Sequence, residues 1–230
     1  VLIIGGGVWA GRDIGGQAVM AVPATQSLPV WSGIMAASLL ARLPARADLD
    51  IKEVTSPGGI TAWLVEDHGI PFVSLEIVFK GGTSLDAPGK RGATNLMTGL
   101  LEEGADDMDS RAFAEARDAL AASFVFASSS DTVSVSVSML TENRDQAVDL
   151  LHKALISPRF DQDALDRVRE QVLTGLRSDE KDPETLAPRK FDALAFGDHP
   201  YATPGEGTIE SVTALTRDDV LAAWKGALAQ

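Results

Sequence analysis

Asn95, Thr98 and Gly99 stand at i, i+3 and i+4 within residues 91–104, RGATNLMTGLLEEG. On a helix that spacing brings side chains together on neighbouring turns. Filled with His, Glu and His, the triplet would hold a metal ion between two imidazoles and set a general base beside it. Here the same slots carry a carboxamide, a hydroxyl and no side chain at all. Ala93, Leu96, Met97, Leu100 and Leu101 recur at i, i+3, i+4, i+7 and i+8, which gives the stretch an apolar face for a core. The helix is expected; its metal chemistry is not.

Other chemistry is scarce. The chain has no Cys, which excludes disulfides, thiolate metal sites and thiol nucleophiles. Its three histidines are His68, His152 and His199, and none has another His or a Glu at helical ligand spacing. His68, between Asp67 and Gly69, reads as a surface turn residue. His152, among Leu150, Leu151 and Leu155, reads as partly buried packing. Glu102 and Glu103 read as exposed charges, and the acidic run 102–107 as a solvated face. A net charge of −13 argues against a nucleic-acid surface, which needs clustered Lys and Arg. A chain 45% hydrophobic and 23% charged belongs with ordinary globular proteins.

The elements that must position the triplet follow from periodicity. Residues 51–55 and 60–66 read as strands joined by a Ser-Pro-Gly-Gly turn, and 73–79 alternates as a half-buried strand does. The helix at 92–101 follows, then a helix at 110–121 with Ser110 as its N-cap. Residues 122–129 and 132–140 form an alternating hairpin. Helices are expected at 143–155, 162–179 and 183–196, then, after the loop 197–208, at 209–214 and 217–228. Strands, helices, a hairpin and a block of helices argue for an α+β domain, a mixed or antiparallel sheet packed against a layer of helices.

Residues 1–47 differ in kind, with only Arg12, Asp13, Arg42 and Arg46 charged. Gly5-x-Gly7-x-x-Ala10 approaches a dinucleotide fingerprint. The stretch after it, RDIGGQAVMAVPATQ, supplies no second strand ending in an acid, so chance glycine richness is the better reading. Residues 30–47, VWSGIMAASLLARLPARA, form a short apolar core before Ala45-Arg46-Ala47, an A-x-A cleavage pattern. The apolar run is too short and too interrupted to span a membrane, so no transmembrane helix is expected. Residues 1–47 are thus read as a leader with an export signal. Residues 48–230 are read as the folded domain, needing nothing before Asp48 and working in the periplasm or otherwise outside the cytoplasm.

Four stretches, in order, resemble the insulinase/pitrilysin-like zinc metallopeptidases, which include the mitochondrial processing peptidase subunits. They are ITAWLVEDHGIPFVSLEIVFKGGTSLDAPGKRGATNLMTGLLEEG, ASFVFASSSDTVSVSVSMLTENRDQAVDLLHKAL, FDQDALDRVREQVLTGLRSDEKDPE and FGDHPYATPGEGTIESVTALTRDDVLAAW. The resemblance implies one α+β half of a LuxS/processing-peptidase-like subunit, lacking its last strand or two after Leu228. It puts the first His slot at Asn95, the base at Thr98, the second His at Gly99 and the third ligand, a Glu, at Gly175. Zinc needs three protein ligands of nitrogen, sulfur or carboxylate type, and none of these slots supplies one. No catalytic residue, metal or other cofactor is therefore expected. His199-Pro200-Tyr201 falls on a loop of the family and reads as structural. The implied function is that of a non-catalytic subunit of a heterodimeric zinc peptidase, helping to enclose and bind peptide substrate for an active partner. A structural scaffold module of a larger complex is the alternative, and an autonomous peptidase is less favoured.

Overall fold

The computed structural model describes residues 2–4 and 50–228. Its strands are β1 (Leu2–Ile4), β2 (Ile51–Thr55), β3 (Thr61–Glu66), β4 (Phe72–Lys80), β5 (Gly104–Ala105), β6 (Met108–Asp109), β7 (Ser123–Ser128) and β8 (Thr132–Leu140). Its helices are α1 (Ala93–Leu100), α2 (Ser110–Ala119), α3 (Arg144–Ile156), α4 (Gln162–Asp179), α5 (Pro183–Phe196), α6 (Ile209–Ala214) and α7 (Arg217–Ala227). Six strands form one sheet in the order β2-β3-β1-β4-β8-β7. Its pairings are antiparallel except that of β1 with β3.

The alternation TVSVSVSML in β8 decides which side of this sheet is dry. Successive strand residues point to opposite faces. Val133, Val135, Val137 and Met139 are buried, while Ser134, Ser136 and Ser138 are only half-buried. The helices therefore collect on the valine face, in two adjoining clusters. Around Val133 lie α1, α4, α6 and α7, and around Val135, Val137 and Met139 lie Phe113 of α2, Phe124 and the apolar side of α3. Leu96, Met97, Leu100 and Leu101 are fully buried. Each such side chain contributes about 1.5–3 kcal/mol relative to exposure. This is the expected α+β architecture.

Element edges move by a residue or two from those read in the sequence. One shift has a chemical reason: Asp109, not Ser110, caps α2, accepting from the Ala112 N–H at 2.8 Å, and the Ser110 hydroxyl instead donates to Glu103. At α7 the cap is a reciprocal box between Thr216 and Asp219, reinforced by Lys90 at 2.8 Å from Asp219. Burial would raise the Asp219 carboxyl, but hydrogen bonds from Lys90 and Thr216 hold it below the ordinary carboxylate range. A depressed folded-state pKa adds stability above the unfolded value, lost as pH falls through the folded one. Asp219→Ala is thus expected to cost about 1 kcal/mol at neutral pH. In denaturant titrations at stepped pH, the gap from the parent should close below about pH 4.

Leu2–Ile4 belongs to the region read as a leader, yet it fills the place between β3 and β4. Ile3 pairs with Val65 on one side and Ser74 on the other. Without it two strands present unpaired edges to water. A chain shortened to begin at Asp48 is therefore expected to exchange amide hydrogens faster at 64–66 and 73–75. Unchanged exchange would show that the sheet needs no strand there. The Gly-x-Gly spacing at 5–10 and the export signal at 30–47 lie outside the described residues. Among the described residues no helix is long and apolar enough to cross a membrane.

Candidate functional site

Helix α1 begins at a residue that only glycine can occupy. Gly92 has φ +95°, and a Cβ there would lie 2.6 Å from the Glu206 carbonyl oxygen. A glycine cannot cap with a side chain, so Asp86 does so from the preceding loop. Its carboxylate accepts from the Gly92 N–H at 2.9 Å, the Thr94 N–H at 3.0 Å and the Thr94 hydroxyl at 2.6 Å. A carboxylate at a helix N-terminus also meets the positive end of the helix dipole.

Arg91 ties the helix entrance to the loop after α5. Its guanidinium donates to the carbonyls of Thr83, Thr203 at 2.8 Å and Pro204 at 3.1 Å. Burial lowers its pKa, against the pull of the Asp86 and Glu206 carboxylates. Tyr201 adds a second tie, donating its hydroxyl to Asp131 in the β7–β8 turn, and His199 Nδ1 accepts the Tyr201 N–H at 3.2 Å. The His-Pro-Tyr loop is thus a clasp.

The chain 81–84 is pressed against that turn. Gly81, Thr83 and Ser84 donate backbone N–H groups to Asp131, Ser129 and Ser130 at 2.7–2.9 Å. Residue 82 must be glycine because a Cβ would sit 2.2 Å from the Ser129 oxygen. The result is a polar cleft of about 280 Å³ bordered by Thr83, Asn95, Ser128 and the 205–206 backbone turn.

The four expected slots take four different environments. Asn95 is half-buried at this cleft. Thr98 is buried, its hydroxyl donating to the Asn95 carbonyl at 2.8 Å. Gly99 meets α4, where a Cβ would lie 3.0 Å from Val168 Cγ1. Gly175 is exposed two turns further along α4, with open space where a Cβ would go. The structure brings Asn95, Thr98 and Gly99 together on α1; Gly175 contributes no group to them.

Three surface readings change. His152 is exposed on α3, because Leu151 and Ala154 take the inward positions beside it. Glu102 and Glu103 are half-buried and paired, with Arg117 and Arg167 respectively, and Gly104 and Ala105 between the acids are buried. Burial raises the Glu102 carboxyl above the ordinary range, with Arg117 pulling the other way. His68 is exposed, as read.

These donors do not fit zinc. A carboxamide, a hydroxyl already donating to the backbone and two glycines offer no imidazole, thiolate or carboxylate. Among the described residues no cluster of three or more His, Cys, Asp or Glu could hold a metal ion. The purified protein is expected to retain no stoichiometric zinc after dialysis. One tightly held zinc per chain, measured by mass spectrometry, would overturn the assignment of the slots.

The residues that shape the cleft, Asp86, Arg91, Gly82, Thr83 and Ser128, were not legible as functional. The stretch GGTSLDAPGK reads locally as a turn-rich link, and only its glycine pair hinted at a close backbone approach.

With this geometry in hand, comparison with known proteins is direct. The profile of the insulinase family (peptidase family M16) matches residues 62–208. The chain is 30% identical over 155 residues to the non-peptidase homolog YmxG of Helicobacter pylori, covering 67% of this chain and 36% of that protein. It is 27% identical over 165 residues to an uncharacterized zinc protease of Mycobacterium leprae, covering 71% and 37%. Among solved structures, a peptidase M16 inactive domain from Pseudomonas fluorescens superposes with a TM-score of 0.73 at 26% identity, covering 78% of this chain and 44% of that one. The chain thus spans less than half the length of each of these relatives. It belongs to the insulinase family of peptidases.

Proposed function

We propose that the protein is the non-catalytic subunit of a heterodimeric zinc peptidase of this family, holding peptide for an active partner. The observation that carries this is an ordered helix around an empty chemistry: α1 is capped, clasped and packed, while Asn95, Thr98 and Gly99 offer zinc nothing. Two surfaces suit the role. β7 is the last strand of the sheet, beside α1, and its outer edge can take an extended peptide as an added strand. Helix α5 buries none of its residues and leaves Leu186, Phe191, Leu194 and Phe196 exposed, an apolar patch of the kind that marks interfaces.

The test is co-expression with a family member from the same genome that carries an intact His-x-x-Glu-His. The two chains should elute as one complex that cleaves peptide faster than the active chain alone, and Phe191→Glu with Leu194→Glu should dissolve it. Two separate elution peaks, with activity unaffected by this chain, would sink the reading and favour a scaffold role. For location we propose export, supported by the A-x-A pattern at 45–47. N-terminal sequencing of protein recovered from a bacterial periplasm should begin near Asp48, in a chain that has given up β1. Recovery only from the cytosol, with 30–47 attached, would reject export.

A further inference from the structure

The cleft beside Asn95 is not an ordinary surface dent. Thr83 is 1% exposed, yet its hydroxyl has no hydrogen-bond partner, and the buried Ser128 hydroxyl in the same cleft has none either. A buried hydroxyl left unpaired is costly, so such groups call for a partner. Gly205 leaves room beside the first of them: a Cβ there would lie 2.9 Å from Thr83 Oγ1.

The chemistry of the lining selects the partner. Thr83, Ser128 and Asn95 each carry a side-chain oxygen that can accept, and Glu206 is the charged residue among those bordering the cleft. No Lys or Arg lines the cleft. The nearby Arg91 directs its donors to the carbonyls of Thr83, Thr203 and Pro204. An anion would meet the negative charge of Glu206 and no cation in the lining. A primary ammonium carries three donors, no acceptor and a positive charge.

We propose that this cleft binds a primary ammonium group of a peptide, either a lysine side chain or a free N-terminus. Ser128 is the last residue of β7, so a peptide laid along that edge reaches the cleft. The proposal thus deepens, and rests on, the peptide-holding reading above.

Three small probes separate the sources of the ammonium. N-acetyl-lysine amide carries only a side-chain ammonium, norleucine amide only an α-ammonium, and N-acetyl-norleucine amide neither. Titrated to millimolar concentration into the whole isotope-labelled chain, at least one ammonium probe should shift the amide resonances of residues 83, 95 and 128. The neutral probe should not. Thr83→Val keeps the shape of the side chain and removes the oxygen. It should weaken the bound probe at least tenfold while leaving the melting temperature unchanged or higher, since no orphaned hydroxyl remains. Glu206→Gln should weaken it severalfold and flatten its salt dependence. Ser128→Ala serves as the second hydroxyl deletion if Thr83→Val fails to fold. Equal shifts with the neutral probe, or no shifts with any, would overturn the proposal. So would a Thr83→Val that melts lower and binds normally, which would make the hydroxyl structural. These titrations need no partner chain, so a missing heterodimer and a missing pocket give different results.

Discussion

The variant carrying Asn95→His, Thr98→Glu, Gly99→His and Gly175→Glu is expected to lose about 3–6 kcal/mol of stability and to cleave no peptide. The four sites contribute unequally. Thr98 is buried, so Glu there places a carboxylate among apolar side chains, a cost of several kcal/mol unless it takes up a proton. Sequence alone would favour Gly99→His, because an ordinary residue in a helix gains some tenths of a kcal/mol over glycine. The contact with Val168 reverses that sign: the new Cβ arrives at 3.0 Å, and overpacking costs about 1–3 kcal/mol. Gly175→Glu enters open space and returns at most about 1 kcal/mol. Asn95→His, half-buried at the cleft, is close to neutral. Imidazoles that did reach zinc would still lack the carboxylates or carbonyls that orient them. Denaturant unfolding and turnover of an unstructured peptide check both halves. Robust turnover with parental stability would mean that the supporting groups for a metal centre are still in place.

Gly82→Ala and Gly175→Ala, one methyl group each, are expected to act in opposite directions. At 82 the methyl would meet the Ser129 oxygen at 2.2 Å and the Thr132 nitrogen at 2.6 Å. Both are backbone atoms and cannot swing aside, so the 81–84 segment must leave the turn. It would give up the hydrogen bonds from Gly81, Thr83 and Ser84, a loss of about 3 kcal/mol or more. At 175 the methyl meets nothing within 4 Å, inside α4, where alanine is favoured over glycine by up to about 1 kcal/mol. Paired thermal melts decide the matter. Equal effects at the two sites would mean that the turn yields easily, and the cleft would then have no fixed floor.

Periodicity and side-chain identity were enough to name the layout and the absence of zinc-binding groups in the α1 triplet. The period-two run of Val133, Val135, Val137 and Met139 names the dry face of the sheet without reference to any neighbour, because strand side chains alternate strictly. The period of Leu96, Met97, Leu100 and Leu101 likewise names the buried side of α1. That Asn95, Thr98 and Gly99 cannot bind zinc is a statement about side-chain atoms and survives any fold. Tertiary structure alone decided what surrounds those positions. Thr98 and Gly99 are adjacent on one helix, yet one lies in the core and the other against Val168, since α4 approaches from a distant part of the chain. His152 turns outward because Leu151 and Ala154 fit the core better, a competition between helix faces that local polarity does not rank. Glu102 and Glu103 find arginines 15 and 64 residues away. The cleft is the clearest case. Its floor comes from Thr83, its wall from the end of β7 and its rim from 205–206, held by Arg91 across more than a hundred residues. A pattern read over a dozen residues contains none of these contacts, because burial and pairing are properties of neighbours in space.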